Sequence, residues 1–261
     1  LYINNKYSNL FQNINVFLSS TEPIIDYNTD TISTKSITVN LNLKKNEEKT
    51  FAFMLGCEEE GKELVKYQDI NTVKNEFNRV INYWNDNLSV IKVNTPDKAF
   101  DYMINGWYLY QAYTSRLLAR AGVYQVGGAT GFRDQLQDSM GVIYSEPELT
   151  RRQILEHARH QFKEGDVLHW WHKENQFGVR TKFTDDYLWL VYVTFEYLKI
   201  TQDYSILNEE VCFATGPELE KNEVEKGISY SFSEEKDTLY NHLKLCIEKA
   251  LNQVGRHQLP L

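Results

Sequence analysis

Residues 95–120 read TPDKAFDYMINGWYLYQAYTSRLLAR, and in them Phe100, Met103, Ile104, Trp107, Tyr110, Tyr113 and Leu117 recur at helical spacing. Thr95 is a predicted N-cap, Pro96 suits the first helical position, and Asp97 favours the positive end of the helix dipole. A helix opens here, and composition predicts further helices over 148–161, 185–201 and 237–253. Gly-containing and aromatic loops separate them, and no returning strand is expected after residue 95. Upstream the period changes from helical to two. The segment SITVNLNL, 36–43, alternates Ile37, Val39, Leu41 and Leu43 with polar partners, KKNEEK supplies a polar turn, and TFAFML, 50–55, reads as its antiparallel mate.

Residues 59–87 are charged and helical in period, a linker helix pair. The expected organisation is α+β by segregation and mainly α. The end of a β-sandwich domain spans 1–56, a helical linker 57–94, and a helical domain 95–261. No internal repeat is visible, although successive helix pairs suit a helical toroid.

The chain has 261 residues, 42% hydrophobic, with a formal net charge of −8. That balance disfavours nucleic acid and anionic membranes as partners. Cys57, Cys212 and Cys246 are widely spaced, without CxxC, which suits a reducing, cytoplasmic compartment rather than a disulfide framework. No apolar run approaches the roughly 20 residues a membrane-spanning helix needs. LYINNKYSNLF at the start shows no signal peptide, and both ends read as cut from something longer.

Three stretches carry candidate chemistry. GFRDQLQD, 131–138, reads as a helix start presenting Arg133, Asp134, Gln135 and Asp138; on a helix, Asp134 and Asp138 share a face. An internal salt-bridge network explains the pattern as well as a site for sugar or phosphate, whose hydroxyls such groups grip with charge-assisted hydrogen bonds. EGDVLHWWHKENQFGVRT, 164–181, offers Trp170 and Trp171 as stacking faces for sugar, or as an aromatic plug in the core. His169 and His172 lack an obvious third ligand, so no metal is expected, and Gly165 and Gly178 imply a loop. In FTDDYLWL, 183–190, Thr184 is a predicted N-cap followed by Asp185 and Asp186. The spacing lets Arg180 fold back on that turn. Together these stretches suit a neutral, polyhydroxylated ligand.

YQVGGATGFRDQLQD, EGDVLHWWH, GVRTKFTDDYLWL and TLYNHLKLCIEKALNQVGRHQLPL resemble the glycoside phosphorylases of glycoside hydrolase family 94. The likeness covers roughly residues 36–261, is most specific in 107–190, and is strongest to the β-1,2-glucan members, with cellobiose and chitobiose phosphorylases more distant. It implies an N-terminal β-sandwich, a helical linker and an (α/α)6 barrel, with dimers through the sandwich. It implies inverting phosphorolysis of β-linked glucosides, with inorganic phosphate as co-substrate, no cofactor, and α-glucose 1-phosphate as product. Asp134 matches the aspartate that holds the non-reducing glucose, and Arg116, or Arg120 in its place, matches an arginine that binds phosphate. Arg180, Asp185 and Asp186 match a motif that shapes the pocket. GGAT stands where cellobiose-type members carry another arginine, which favours the β-1,2-glucan branch. The general acid of the family follows a GLPL-like stretch. HQLPL matches it here, so the acid is expected after Leu261 and this polypeptide alone is expected to be inactive. Other readings are the phosphorylase-like domain of a cyclic β-1,2-glucan synthase and a non-catalytic carbohydrate-binding module.

Overall fold

The computed structural model describes residues 2–4, 15–28, 36–58, 66–118, 128–173, 175–257 and 259. The chain forms two compact units, 1–85 and 86–261.

In the first unit, β1 (Tyr2–Asn4), β2 (Asn15–Ser20), β3 (Ile24–Asn28), β4 (Ser36–Val39) and β5 (Phe53–Glu58) are all antiparallel. They make a three-stranded sheet in the order β1-β2-β5 and a separate β3-β4 pair. This corrects the expected hairpin. Ser36 pairs with Asn28 and Val39 with Ile24, whereas Phe53 pairs with Ser20. Alternation marks which residues form strands and which face they use, but it does not choose a partner. The KKNEEK segment does turn, with Glu47 N donating to Lys44 O at 3.1 Å. Helix α1 (Ile70–Leu88) follows, its first turn held by Asp69 accepting from Thr72 N at 2.9 Å. Of the rest of the expected helix pair, 59–65 lie outside the described residues and 66–69 make a turn that leads into α1.

The second unit opens with a helical run, α2, over 98–118, in which π-helical turns occupy Met103–Trp107 and Ala112–Leu118. Its cap is Asp97, not Thr95: the Asp97 carboxylate accepts from Ala99 N and Phe100 N. The Thr95 hydroxyl instead donates to Asp101 at 2.8 Å. Then come β6 (Thr130–Gly131), α3 (Phe132–Ser139), α4 (Pro147–Ala158), β7 (Leu168–His172), β8 (Phe177–Thr181) and α5 (Thr184–Thr201). The unit continues through β9 (Glu210–Thr215), β10 (Glu225–Ser229), β11 (Ser231–Thr238) and α6 (Leu239–Asn252). The predicted helices over 148–161, 185–201 and 237–253 therefore exist, with ends moved by a few residues.

The expectation of no returning strands is overturned. An antiparallel sheet in the order β10-β8-β7-β6 and a β9-β11 pair lie among the helices. Two features hide them in the sequence. A register shift between Leu168 and Trp170 breaks the alternation of β7, and β10 and β11 are largely polar, EKGIS and SFSEEKDT. Pairing across the sheet, not an apolar stripe, keeps such strands in place. Gly178, read as a loop marker, lies inside β8, where an added Cβ would stand 2.7 Å from Trp170 O.

Phe132, Leu136, Ile154, Leu190 and Val193 are fully buried in one cluster with Trp171, Tyr187 and Cys246. Each such aliphatic or Phe side chain contributes about 1.5–3 kcal/mol relative to remaining wet. On α5, Asp186, Tyr187, Leu190, Val193, Thr194 and Tyr197 form the buried stripe at helical spacing, and Gln202 ends the helix in the left-handed region at φ 57°. No helix among the described residues is long and apolar enough to cross a membrane.

Candidate functional site

The sheet brings the three polar stretches together. β6 pairs with β7, placing Thr130 opposite Trp171 and Gly131 opposite Trp170. Helix α3 starts immediately after β6. Two residues separate β8 from α5, whose first turn carries Asp185 and Asp186. The starts of α3 and α5 thus share a neighbourhood with β7.

Gly131 is the N-cap of α3, and its N–H donates to Gln135 Oε1 at 2.5 Å. The Asp134 carboxylate folds back over it: a Cβ on Gly131 would stand 2.8 Å from Asp134 Oδ2. Glycine is required there so that the carboxylate can lie against the helix start, where the dipole favours negative charge. The Arg133 guanidinium donates to Asp185 Oδ2 at 3.1 Å. Both side chains are about half exposed, so the pair holds the fold only weakly and a ligand can compete for either partner.

His169 Nδ1 lies 2.8 Å from Asp186 Oδ2. Asp186 is only 1% exposed, whereas the imidazole is half-buried, with the Phe183 ring edge-on to it. The hydrogen bond that Nδ1 donates to Asp186 raises the His169 pKa, against the opposing effect of burial, and the charges of Asp186, Asp134 and Asp185 add to the rise. Burial pushes the Asp186 carboxyl upward as well, against the hydrogen bond and charge of His169. Two linked pairs result, Arg133 with Asp185 and His169 with Asp186, which set donors and acceptors at the starts of α3 and α5 and on β7. That chemistry suits the hydroxyls of a neutral ligand.

Several expected site residues serve the fold instead. Arg180 does not fold back on the α5 turn. It is 1% exposed and bidentate to Asp166, with Nε and Nη2 each 2.7 Å from a carboxylate oxygen. It also donates to Glu164, Gly216 O and Pro217 O, and stacks on Phe162. The buried Asp166 offers an ion pair without the desolvation cost a lone guanidinium would meet. Trp171 is fully buried, stacked on His160 with ring centroids 3.9 Å apart, so it is the core plug rather than a stacking face. Trp170 is part-buried beside His172 and Phe177. Gln135 is buried and spends its oxygen on Gly131, while its Nε2 has no hydrogen-bond partner among the described residues. Asp138 lies a turn further along α3, part-buried. Thr184 is the first residue of α5 rather than its cap; that position falls to Phe183, without a capping side chain. The Arg116 side chain and all of Arg120 lie outside the described residues.

In the sequence His169 stands out only as half of a possible metal pair with His172. In the strand the two go to different neighbours, Asp186 and Trp170. Among the described residues no three His, Cys, Asp or Glu side chains come together in a metal-binding group. Reading HWWH as a strand would have separated the two histidines, since residues three apart face opposite ways.

Comparison with known proteins follows the same region. A family model described as "Glycosyl hydrolase 94 superfamily, catalytic domain" matches residues 83–261. The chain is 42% identical over 179 residues to the cyclic beta-(1,2)-glucan synthase NdvB of Rhizobium meliloti (strain 1021), covering 69% of this chain and 6% of that protein. It is 27% identical over 251 residues to the N,N'-diacetylchitobiose phosphorylase of Vibrio proteolyticus, covering 85% of this chain and 29% of that enzyme. The solabiose phosphorylase of Paenibacillus borealis is 27% identical over 223 residues, covering 84% of this chain and 25% of that protein. The chain thus spans less than a third of the length of each of these relatives.

Proposed function

Because the chain belongs to the glycosyl hydrolase 94 superfamily through its catalytic domain, we propose that it supplies the sugar-gripping part of an inverting glycoside phosphorylase. In that reaction inorganic phosphate attacks the anomeric carbon from the face opposite the leaving group. One carboxylic acid protonates the departing glycosidic oxygen, and a β-glucoside yields α-glucose 1-phosphate. An inverting hydrolase needs a second carboxylate to activate water; phosphate is already an anionic nucleophile, so a single acid suffices. In this reading that acid follows residue 261, within an (α/α)6 barrel of which the second unit is a part.

The observation that carries the proposal is the Asp134 carboxylate laid against Gly131 at the start of α3, on a strand–helix junction that pairs directly with β7. Asp134 accepts from hydroxyls of the terminal glucose, and Arg133 donates to its neighbours. Asp185 and Asp186 shape the pocket, Trp170 offers a ring face, and Arg116 or Arg120 steadies the phosphate. The reaction takes phosphate as co-substrate without a cofactor, in the cytoplasm. β-1,2-Glucan oligosaccharides are the favoured substrates, supported by the identity to a synthase of cyclic beta-(1,2)-glucan. The test is incubation of the full-length protein with sophorose or sophorotriose and phosphate. Release of α-glucose 1-phosphate is expected; no release from any β-glucobiose would remove the proposal.

That same identity favours a second reading, the phosphorylase-like domain of a cyclic β-1,2-glucan synthase. A parent gene encoding transmembrane and glycosyltransferase segments would select it over a free-standing phosphorylase.

A further inference from the structure

We propose that His169 is a specificity-determining residue of this site, donating a hydrogen bond from Nε2 to the sugar hydroxyl next to the one Asp134 accepts from. Asp186 acts behind it as a positioning residue. The inference rests on the sugar-binding reading above and deepens it by naming the donor that completes the grip.

The argument begins with the ring's two nitrogens. Nδ1 is committed to Asp186 at 2.8 Å, and Asp186 is buried, so the orientation of the imidazole is fixed from inside. The ring is half-buried, with Phe183 edge-on to it, which leaves Nε2 as the nitrogen available to a ligand. A carboxylate at Nδ1 also dictates the proton positions. The neutral ring keeps its one hydrogen on Nδ1, toward Asp186, and Nε2 is then a bare acceptor. Only the protonated ring has an Nε2–H to donate.

The surroundings favour that protonated form. The hydrogen bond to Asp186 raises the pKa of the ring against the effect of burial, and the charges of Asp186 and Asp185 on α5 and of Asp134 on α3 add to the rise, while Arg133 on α3 is paired with Asp185. A cationic donor beside a carboxylate acceptor is a complementary pair for two adjacent hydroxyls, one accepting and one donating. Charge-assisted hydrogen bonds of this kind are about twice as strong as neutral ones. A strand residue anchored from behind is also a more rigid donor than a lysine or a loop serine.

Phosphate oxygen would attract the same cation, so the test keeps the two ligands apart. The protein is titrated calorimetrically with sophorose in the absence of phosphate, and with inorganic phosphate in the absence of sugar. Each titration is run from about pH 5.5 to about pH 9, across and above the ordinary histidine value of about 6.5. Sophorose affinity is expected to fall as pH rises through the raised value of His169. His169→Phe keeps a ring against Phe183 but has no donor; it is expected to weaken sophorose binding about ten-fold to a hundred-fold at the acid end. Asp186→Asn keeps shape and a hydrogen-bond acceptor and removes the charge, so the fall should move to lower pH. This variant carries the test if His169→Phe does not fold.

Sophorose binding by His169→Phe or Asp186→Asn with the affinity and pH profile of the unmodified protein would overturn the inference and leave the sugar-binding reading standing. Loss of phosphate binding with sugar binding intact would overturn it too, assigning the ring to the anion. Failure of the unmodified protein to bind sophorose or any other β-glucobiose at any pH would remove the underlying reading and this inference together.

Discussion

At Gly131 a single hydrogen atom in place of a methyl decides where a carboxylate sits. Gly131→Ala would bring Cβ to 2.8 Å from Asp134 Oδ2 and 3.2 Å from Asp134 Cβ. The backbone there, φ −92° and ψ 142°, is open to any residue, so the strain falls on the Asp134 side chain. The stability cost should sit at the low end of the about 1–3 kcal/mol typical of overpacking, because that side chain can swing away. Binding should suffer more than folding. Calorimetric titration with sophorose beside a thermal melt separates the two, and unchanged affinity would show that Asp134 does not hold the ligand.

Arg180 teaches the converse lesson, since a strongly polar side chain serves the core. Arg180→Ala leaves Asp166 buried without its partner and is expected to cost about 3–5 kcal/mol. Arg180→Met with Asp166→Leu should recover much of that loss, because the cost lies in the orphaned charge. Denaturant midpoints of the single and double variants check the point.

At the scale of elements, helix starts and buried stripes set the energetics. Asp97 satisfies two N–H groups at the head of α2, so Asp97→Ala should cost about 0.5–2 kcal/mol. Thr95→Ala should leave those two capping bonds intact, although it removes the hydroxyl that donates to Asp101. On α5, Leu190 is fully buried at the centre of the cluster, and Leu190→Ala should cost about 2–5 kcal/mol, depending on how far the site collapses. Phe195, on the same helix, is 59% exposed; Phe195→Ala should be far milder. Chemical denaturation ranks the pair. Equal losses would contradict the assigned inner face of α5.

For the molecule as a whole, buried histidines govern the response to acid. Burial depresses His157 to about 4 and His160 to about 3, and the two rings enclose Trp171. Between the ordinary value of about 6.5 and these depressed values, the unfolded chain binds protons that the native core refuses. Stability therefore falls as pH drops through that window. At full extent His157 accounts for about 3–4 kcal/mol, at about 1.4 kcal/mol per unit. His157→Gln keeps a hydrogen-bonding side chain without ionising near these values, so its melting temperature should decline less steeply below about pH 6.5. His169 acts in the opposite sense. Its pKa is raised, so its contribution is complete below the ordinary histidine value and disappears as pH rises through the folded one. An identical acid slope in His157→Gln and the unmodified protein would refute the assignment.

Local physics was enough to place much of this protein in advance. Helical spacing identified α2, because apolar residues three and four apart report one face of a helix without reference to any partner, and composition marked α4, α5 and α6. The three stretches GFRDQLQD, HWWH and FTDDYLWL stood out because their polar groups exceed what capping or solvation needs, and their wording pointed to the family whose model the chain matches. Other features belonged to the tertiary structure alone. Which strand β4 pairs with, and that polar β10 and β11 are strands at all, depend on hydrogen bonds to distant segments. Whether Arg180 faces a ligand or Asp166, and whether His169 meets His172 or Asp186, depends on which side of its strand each side chain leaves, Arg180 from β8 and His169 from the bulge of β7. Side-chain type and spacing are written along the chain. Burial and partnership arise only when remote segments meet.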